Sequence, residues 1–270
     1  MLSRLRTTEP PVAVDAEEAW PTPAAPQDMR IYAIGDVHGR RDLLDMMLSQ
    51  IVADLQTRPA ERFTLVFLGD LIDRGPDSAG VVERILRLQA ERVPLRIIQG
   101  NHEQILLEML DGDTDARDMF GHIGGYETMT SYGLTDHEMR SRSADENVSR
   151  LRELIPETHL ALFRAGEESV QLGDYLFVHA GVQPGVALDA QSARDLRWIR
   201  APFLNSDRYH GSVIVHGHSV SKAPVDRANR IGVDTGAFAT GVLSAVVLEG
   251  ETRRFLEARG VARARTEEAA

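Results

Sequence analysis

The chain has 270 residues, 43% of them hydrophobic and 26% charged, with no cysteine. That composition suits one large globular domain or two small ones and excludes disulfides, zinc–thiolate centres and cysteine nucleophiles. A formal net charge of −11 argues against a nucleic-acid partner, whose footprint would be basic, while leaving room for a locally positive site that takes a phosphorylated ligand. No apolar run approaches the ~20 residues of a membrane span and the N-terminus lacks a signal-like apolar core, so no membrane partner is expected and the expected compartment is the cytoplasm.

Residues 1–28 carry Pro10, Pro11, Pro21, Pro23 and Pro26 among alanines and acids, and are predicted to form a flexible tail outside any core. From Met29 onward, short apolar runs each stop at a polar cluster. Ile31–Ile34 runs into Gly35-Asp36-Val37-His38-Gly39, Thr64–Leu68 into Gly69-Asp70, and Leu95–Ile98 into Gly100-Asn101-His102-Glu103. Later, Tyr175–Val178 runs into His179, Val213–Val215 into His216-Gly217-His218, and Ile231–Val233 into Asp234-Thr235-Gly236. Such runs read as buried strands.

Between the first three lie amphipathic helices, predicted over Asp42–Leu55 and Ser78–Gln89 from apolar residues at helical spacing. Residues 104–165 break the alternation and read as a helical insertion interrupted at Gly121, Gly124, Gly125 and Gly133. A hairpin is expected across Glu249–Glu251, and residues 259–270 read as a C-terminal tail. The pattern makes 29–258 one α/β domain, with sheets covered by helices and some antiparallel edge pairing. Ligands sit at the carboxyl ends of strands in such sheets, and all six polar clusters fall there.

Asp36, His38, Asp70, Asn101, His179 and His218 are oxygen and imidazole donors at successive strand ends. Hard oxygens with imidazoles suit divalent manganese, iron or zinc, and a carboxylate can bridge two such ions. Arg74 is placed to add a guanidinium fork for phosphate oxygens.

Gly35-Asp36-Val37-His38-Gly39, Gly69-Asp70-Leu71-Ile72-Asp73-Arg74-Gly75 and Gly100-Asn101-His102-Glu103 together resemble the three signature motifs of the phosphoprotein phosphatases, within the calcineurin-like metallophosphoesterases. The bacterial serine/threonine type is the nearest match. The resemblance runs from about Ile31 to Glu249 and implies an αββα sandwich of two mixed β-sheets flanked by helices. It implies Asp36, His38 and Asp70 on one metal, Asp70 bridging, and Asn101, His179 and His218 on the other. Two divalent ions are implied, manganese first, with iron and zinc as alternatives. Arg74 would bind the phosphate, as would Arg200 in Trp198-Ile199-Arg200, with Asn101 beside them. His102 and Asp73 would form the acid pair, His102 protonating the leaving oxygen after in-line attack by hydroxide held on the metals.

His216 precedes His218 by two positions, so a strand would face both the same way. His218 is expected as the ligand and His216 as its outer neighbour. The resemblance implies a phosphomonoester hydrolase acting on phosphoserine and phosphothreonine in proteins, or on small phosphoesters. The alternative is a symmetrical diadenosine tetraphosphate hydrolase, built on the same motifs. A non-catalytic adaptor on this fold would be expected to lose ligands or the acid pair, and here all eight positions are filled.

Overall fold

The computed structural model describes residues 20–262. The first half is the expected alternation of β1 (Met29–Ile34), α1 (Arg41–Thr57), β2 (Arg62–Phe67), α2 (Ser78–Ala90) and β3 (Leu95–Ile97). Helix α2 starts where Asp77 accepts the Gly80 amide at 2.9 Å, which satisfies one of the orphan donors of its first turn. The insertion is helical throughout: α3 (Asn101–Leu110), α4 (Thr114–His122), α5 (Gly125–Ser131), α6 (Asp136–Ser141), α7 (Ala144–Leu154) and α8 (Glu157–Arg164). Gly124 and Gly133 separate its helices at φ of 103° and 99°, whereas Gly121 lies inside α4 and breaks nothing.

The second half comprises β4 (Ser169–Leu172), β5 (Tyr175–Val178), α9 (Ala193–Trp198), α10 (Ala201–Leu204), β6 (Val213–His216), β7 (Val225–Asp226) and β8 (Arg230–Gly232). It ends with α11 (Ala237–Thr240), β9 (Val242–Glu249) and β10 (Thr252–Arg259).

Two five-stranded sheets result, ordered β10-β9-β1-β2-β3 and β4-β5-β6-β8-β7. Each has three parallel strands, β1, β2, β3 in one and β5, β6, β8 in the other; β9 and β10 add antiparallel pairs on one side of the first sheet, and β4 and β7 pair antiparallel at the two edges of the second. Both are therefore mixed, and the expected hairpin is the β9–β10 turn.

Strand alternation assigns the layers. In β1, Ile31 and Ala33 face the other sheet, meeting Phe177, Val215 and Ile231, while Tyr32 and Ile34 face α1 and α2 through Leu44, Met47 and Val81. In β5 and β6, Leu176, Val178 and Ile214 point outward onto Leu196 and Phe203 from α9 and α10. The order helix, sheet, sheet, helix is the αββα sandwich. Each fully buried leucine, isoleucine or phenylalanine in these layers contributes about 1.5–3 kcal/mol relative to exposure.

The expected tails fall only in part on described residues. Residues 1–19 and 263–270 lie outside the described residues. Residues 20–28 are not free of the core. The Ala24 amide donates to Asp174 at 2.9 Å, the Ala25 amide to Gly250 O at 2.8 Å, and Ala25 is buried between the sheets. Prolines carry no amide donor, so the donated bonds come from the residues between them, while the Pro23 carbonyl accepts the Tyr175 hydroxyl at 3.3 Å. At the other end, Arg259 completes β10 and the Gly260 amide donates to Gly241 O at 2.8 Å.

Candidate active site

The six clusters stand at the carboxyl ends of the six parallel strands, three per sheet, so packing the sheets face to face brings them together. The turns are strained. Of seven non-glycine residues with positive φ among the described residues, five belong here: His38, Asp70, Asp73, Arg74 and His218, at 44° to 71°. Each such residue costs about 1–2 kcal/mol, a cost that surrounding structure must offset. Two glycines are required by close approach. A Cβ at Gly217 would lie 2.0 Å from Asp36 Oδ1, and one at Gly69 would lie 2.6 Å from the Gly100 amide nitrogen.

Asp70 is the centre. Its Oδ2 faces His38 Nε2 at 3.6 Å and His102 Nε2 at 3.7 Å, and its Oδ1 faces His179 Nε2 at 3.4 Å. The structure thus gathers two groups able to hold a cation, His38–Asp70–His102 and Asp70–His179–His218, sharing one carboxylate. The imidazoles are set for ligation. His38 Nδ1 donates to Ile72 O at 2.8 Å and His179 Nδ1 to Leu68 O at 2.7 Å, which turns each Nε2 towards Asp70. His218 Nε2 is buried with no hydrogen-bond partner. Asn101 Oδ1 lies 2.9 Å from His179 Nε2, so the amide belongs to the second group. Asp36 is buried beside them, its carboxylate accepting the His218 amide at 3.0 and 3.2 Å.

Electrostatics favour cations in the same place. Burial, Asp234 and Asp70 together raise the Asp36 carboxyl well above its usual range. Burial, followed by Asp70, pushes Glu103 up to about 7. Burial opposes charge on Asp70, but His179, His102 and His38 hold it well below the usual range. Burial and the neighbouring His179 push His218 down to about 3, so it offers a neutral lone pair. Buried carboxylates, an amide oxygen and imidazole nitrogens form a donor set suited to divalent ions of the manganese, iron and zinc type.

His102 and Asp73 are paired. His102 Nδ1 meets Asp73 Oδ2 at 2.6 Å, with both side chains essentially inaccessible. Burial opposes the imidazolium, but Asp70 and Asp73 outweigh it and the His102 pKa is raised. Arg74 points inward, its Nη1 3.1 Å from His38 Nε2 and its guanidinium 4.8 Å from the centre of the Phe238 ring. Arg200 stands exposed at the rim, donating to His218 O at 3.2 Å, while Trp198 Nε1 donates to Gln104 Oε1 at 3.0 Å.

His216 lies outside both groups and does not share the facing of His218. Its strand ends at His216, and the positive φ of His218 interrupts the alternation that would have put both on one side. His216 packs edge-on against Phe203 at 5.1 Å, its Nδ1 3.0 Å from Gly217 O. Burial holds its imidazole neutral, pushing the pKa down to about 4.

Two residues gain roles that sequence reasoning did not assign. Glu103 receives the amides of Gly100 (3.0 Å), Asp70 (2.9 Å) and Leu71 (2.7 Å), tying the β2 and β3 turns together. Asp234 is buried against Asp36 and accepts the Gly236 amide at 2.9 Å. Both lay within clusters already picked out, so position at a strand end was their signal.

The calcineurin-like phosphoesterase family model matches residues 29–231. The chain is 26% identical over 239 residues to an asymmetrical bis(5'-nucleosyl)-tetraphosphatase of Oceanobacillus iheyensis, covering 80% of this chain and 88% of that protein. It is 31% identical over 156 residues to a symmetrical bis(5'-nucleosyl)-tetraphosphatase of Janthinobacterium sp., covering 58% of this chain and 45% of that protein. A crystal structure assigned to a diadenosine tetraphosphatase superposes with a TM-score of 0.59 at 20% identity, covering 87% of this chain and 96% of that one. With its matching fold and a carboxylate shared between two histidine groups, this chain belongs to the calcineurin-like phosphoesterases and is a metallophosphoesterase hydrolase.

Proposed function

We propose that the protein hydrolyses a phosphoanhydride bond in bis(5'-nucleosyl) tetraphosphates. The observation that carries this is the likeness to an enzyme of that name over four fifths of this chain. The reading reverses the order suggested by the sequence motifs, where a protein substrate led and the dinucleotide was the alternative. Asp36, His38 and Asp70 would hold one divalent ion, and Asn101, His179 and His218 the other, with Asp70 shared. When bound, such a pair neutralises phosphoryl charge and activates water. Arg74, anchored beside His38, grips the phosphoryl oxygens in a guanidinium fork, and Arg200 reaches the same group from the rim. His102, kept cationic by Asp70 and Asp73, delivers the Nε2 proton to the leaving oxygen.

A second reading, hydrolysis of phosphoserine or phosphothreonine in proteins, is favoured by that acid pair. A serine alkoxide needs a proton to leave far more than a nucleotide phosphate does. Turnover with manganese on diadenosine tetraphosphate, a phosphothreonine peptide and a phosphotyrosine peptide separates the two. The expected result is the highest kcat/KM on diadenosine tetraphosphate, with ATP plus AMP or two ADP telling asymmetrical from symmetrical cleavage. Higher kcat/KM on the phosphothreonine peptide would put the second reading in its place.

A further inference from the structure

Asp73 and Arg74 are consecutive left-handed residues, with φ of 71° and 66°, and they carry the acid's partner and the phosphate fork. What holds them comes from the helical insertion, some fifty residues downstream. The Asp73 amide donates to Thr128 Oγ1 at 2.9 Å and the Arg74 amide to Gly124 O at 2.9 Å. Arg74 Nε donates to Ile123 O at 3.1 Å. The Thr128 hydroxyl donates to Asp73 Oδ1 at 2.5 Å, leaving Oδ2 to His102. With that proton committed, the Ser78 hydroxyl donates to Thr128 Oγ1 at 2.9 Å, and Ser78 Oγ also lies 3.0 Å from the Asp73 amide. Asp73, Ser78 and Thr128 are all fully buried.

Packing alone does not account for Thr128. A helical threonine ordinarily returns its hydroxyl to the carbonyl four residues back, as Thr130 does to Tyr126 at 3.0 Å. Thr128 instead gives its hydroxyl to Asp73, while the carbonyl of Gly124, four residues back, accepts the Arg74 amide. The start of α5 is thus turned over to the Asp73–Arg74 turn.

We infer that Thr128 is a positioning residue for the Asp73–His102 pair. On this view residues 123–128 clamp the acid partner and the phosphate fork as one unit. The inference rests on the reading of His102 as the acid, and not on which phosphoester is the natural substrate. The hydroxyl holds the Asp73 carboxylate at the angle that orients His102 Nδ1, and so aims Nε2 at the leaving oxygen.

The test uses the full chain with manganese on nitrophenyl phosphate, whose leaving group needs little protonation, and on phenyl phosphate, whose phenolate needs more. Thr128→Val keeps the shape and removes the hydroxyl. It should lower kcat on phenyl phosphate by roughly tenfold more than on nitrophenyl phosphate, the scale of hydrogen bonds that orient a catalytic group. Metal content should stay unchanged, and Thr128→Ser should restore the phenyl phosphate rate. His102→Ala, run in parallel, separates the two claims. If it shows no leaving-group dependence, the acid reading fails. If it does and Thr128→Val does not, the positioning role fails. Should the valine variant not fold, Thr128→Ala takes its place. Equal losses on both substrates in that variant, or a serine variant impaired as badly, would assign Thr128 to packing and overturn the inference.

Discussion

At the scale of single residues, the imidazoles at 216 and 218 separate ligation from burial. Both carry a buried Nε2 with no hydrogen-bond partner, but that of His218 lies in the group around Asp70, whereas His216 lies outside it, against Phe203. His218→Ala should therefore remove one metal per chain, while His216→Ala should keep both. Elemental analysis checks this, and loss of metal in the His216 variant would reverse the assignment. Glu103 is the other decisive residue. Three backbone amides converge on its carboxylate at 3.0 Å or less, and an amide side chain would turn an NH2 towards one of them. Glu103→Gln should weaken metal binding by about 10–100-fold, as loss of groups that orient ligands does. Calorimetric titration with manganese reads that change, and unaltered affinity would leave Glu103 as a fold contact only.

At the scale of elements, a buried ionic knot joins α1 to the first sheet. Asp54 of α1 accepts Arg30 and Tyr32 from β1 at 3.2 and 2.7 Å, and both terminal nitrogens of Arg254 from β10 at 3.0 and 3.1 Å. Arg30 is almost inaccessible, so Asp54→Ala removes one of the two carboxylates it meets among the described residues and leaves it Glu249, the Arg58 carbonyl and the Tyr32 hydroxyl. The expected cost is about 3 kcal/mol, measured by urea unfolding of the metal-free chain. The pH dependence has a definite sign. Burial opposes ionisation of Asp54, but Arg254, Tyr32 and Arg30 prevail and its pKa is lowered. Its contribution is present in full above the ordinary carboxylate range, near pH 4, and is lost as pH falls through the folded value. Stability should thus fall less steeply below pH 4 in Asp54→Ala than in the parent chain. Parallel slopes would show that the knot does not titrate with folding.

At the scale of the whole molecule, six parallel strands deliver buried carboxylates to one seam between two sheets. Without cations, burial first and the neighbouring carboxylates second raise the Asp36 and Asp234 carboxyls above their usual range. A metal that binds only the folded chain stabilises it by about 2.7 kcal/mol at a hundred times its Kd. For a chain of this size that corresponds to a rise in Tm of roughly 5–10 °C. Thermal unfolding with and without manganese checks it. Chelator should reverse the rise, and an unchanged Tm would count against a metal centre at the seam.

Much of this was legible in the sequence because strands and site share one local rule. An apolar run that stops at Gly-Asp or Gly-Asn-His is both a buried strand and the turn that presents a ligand, so Asp36, His38, Asp70, Asn101, His102 and His179 could be placed without coordinates. Tertiary structure decided whatever depends on residues far apart in the chain. The side taken by His216 depends on where β6 stops and on the backbone reversal at His218. The docking of residues 20–28 depends on Asp174 and Gly250, which no local pattern connects to them. The role of Thr128 depends on Asp73, fifty-five positions away, because a hydrogen bond is specified by proximity and angle, and only folding brings α5 onto the β2 turn.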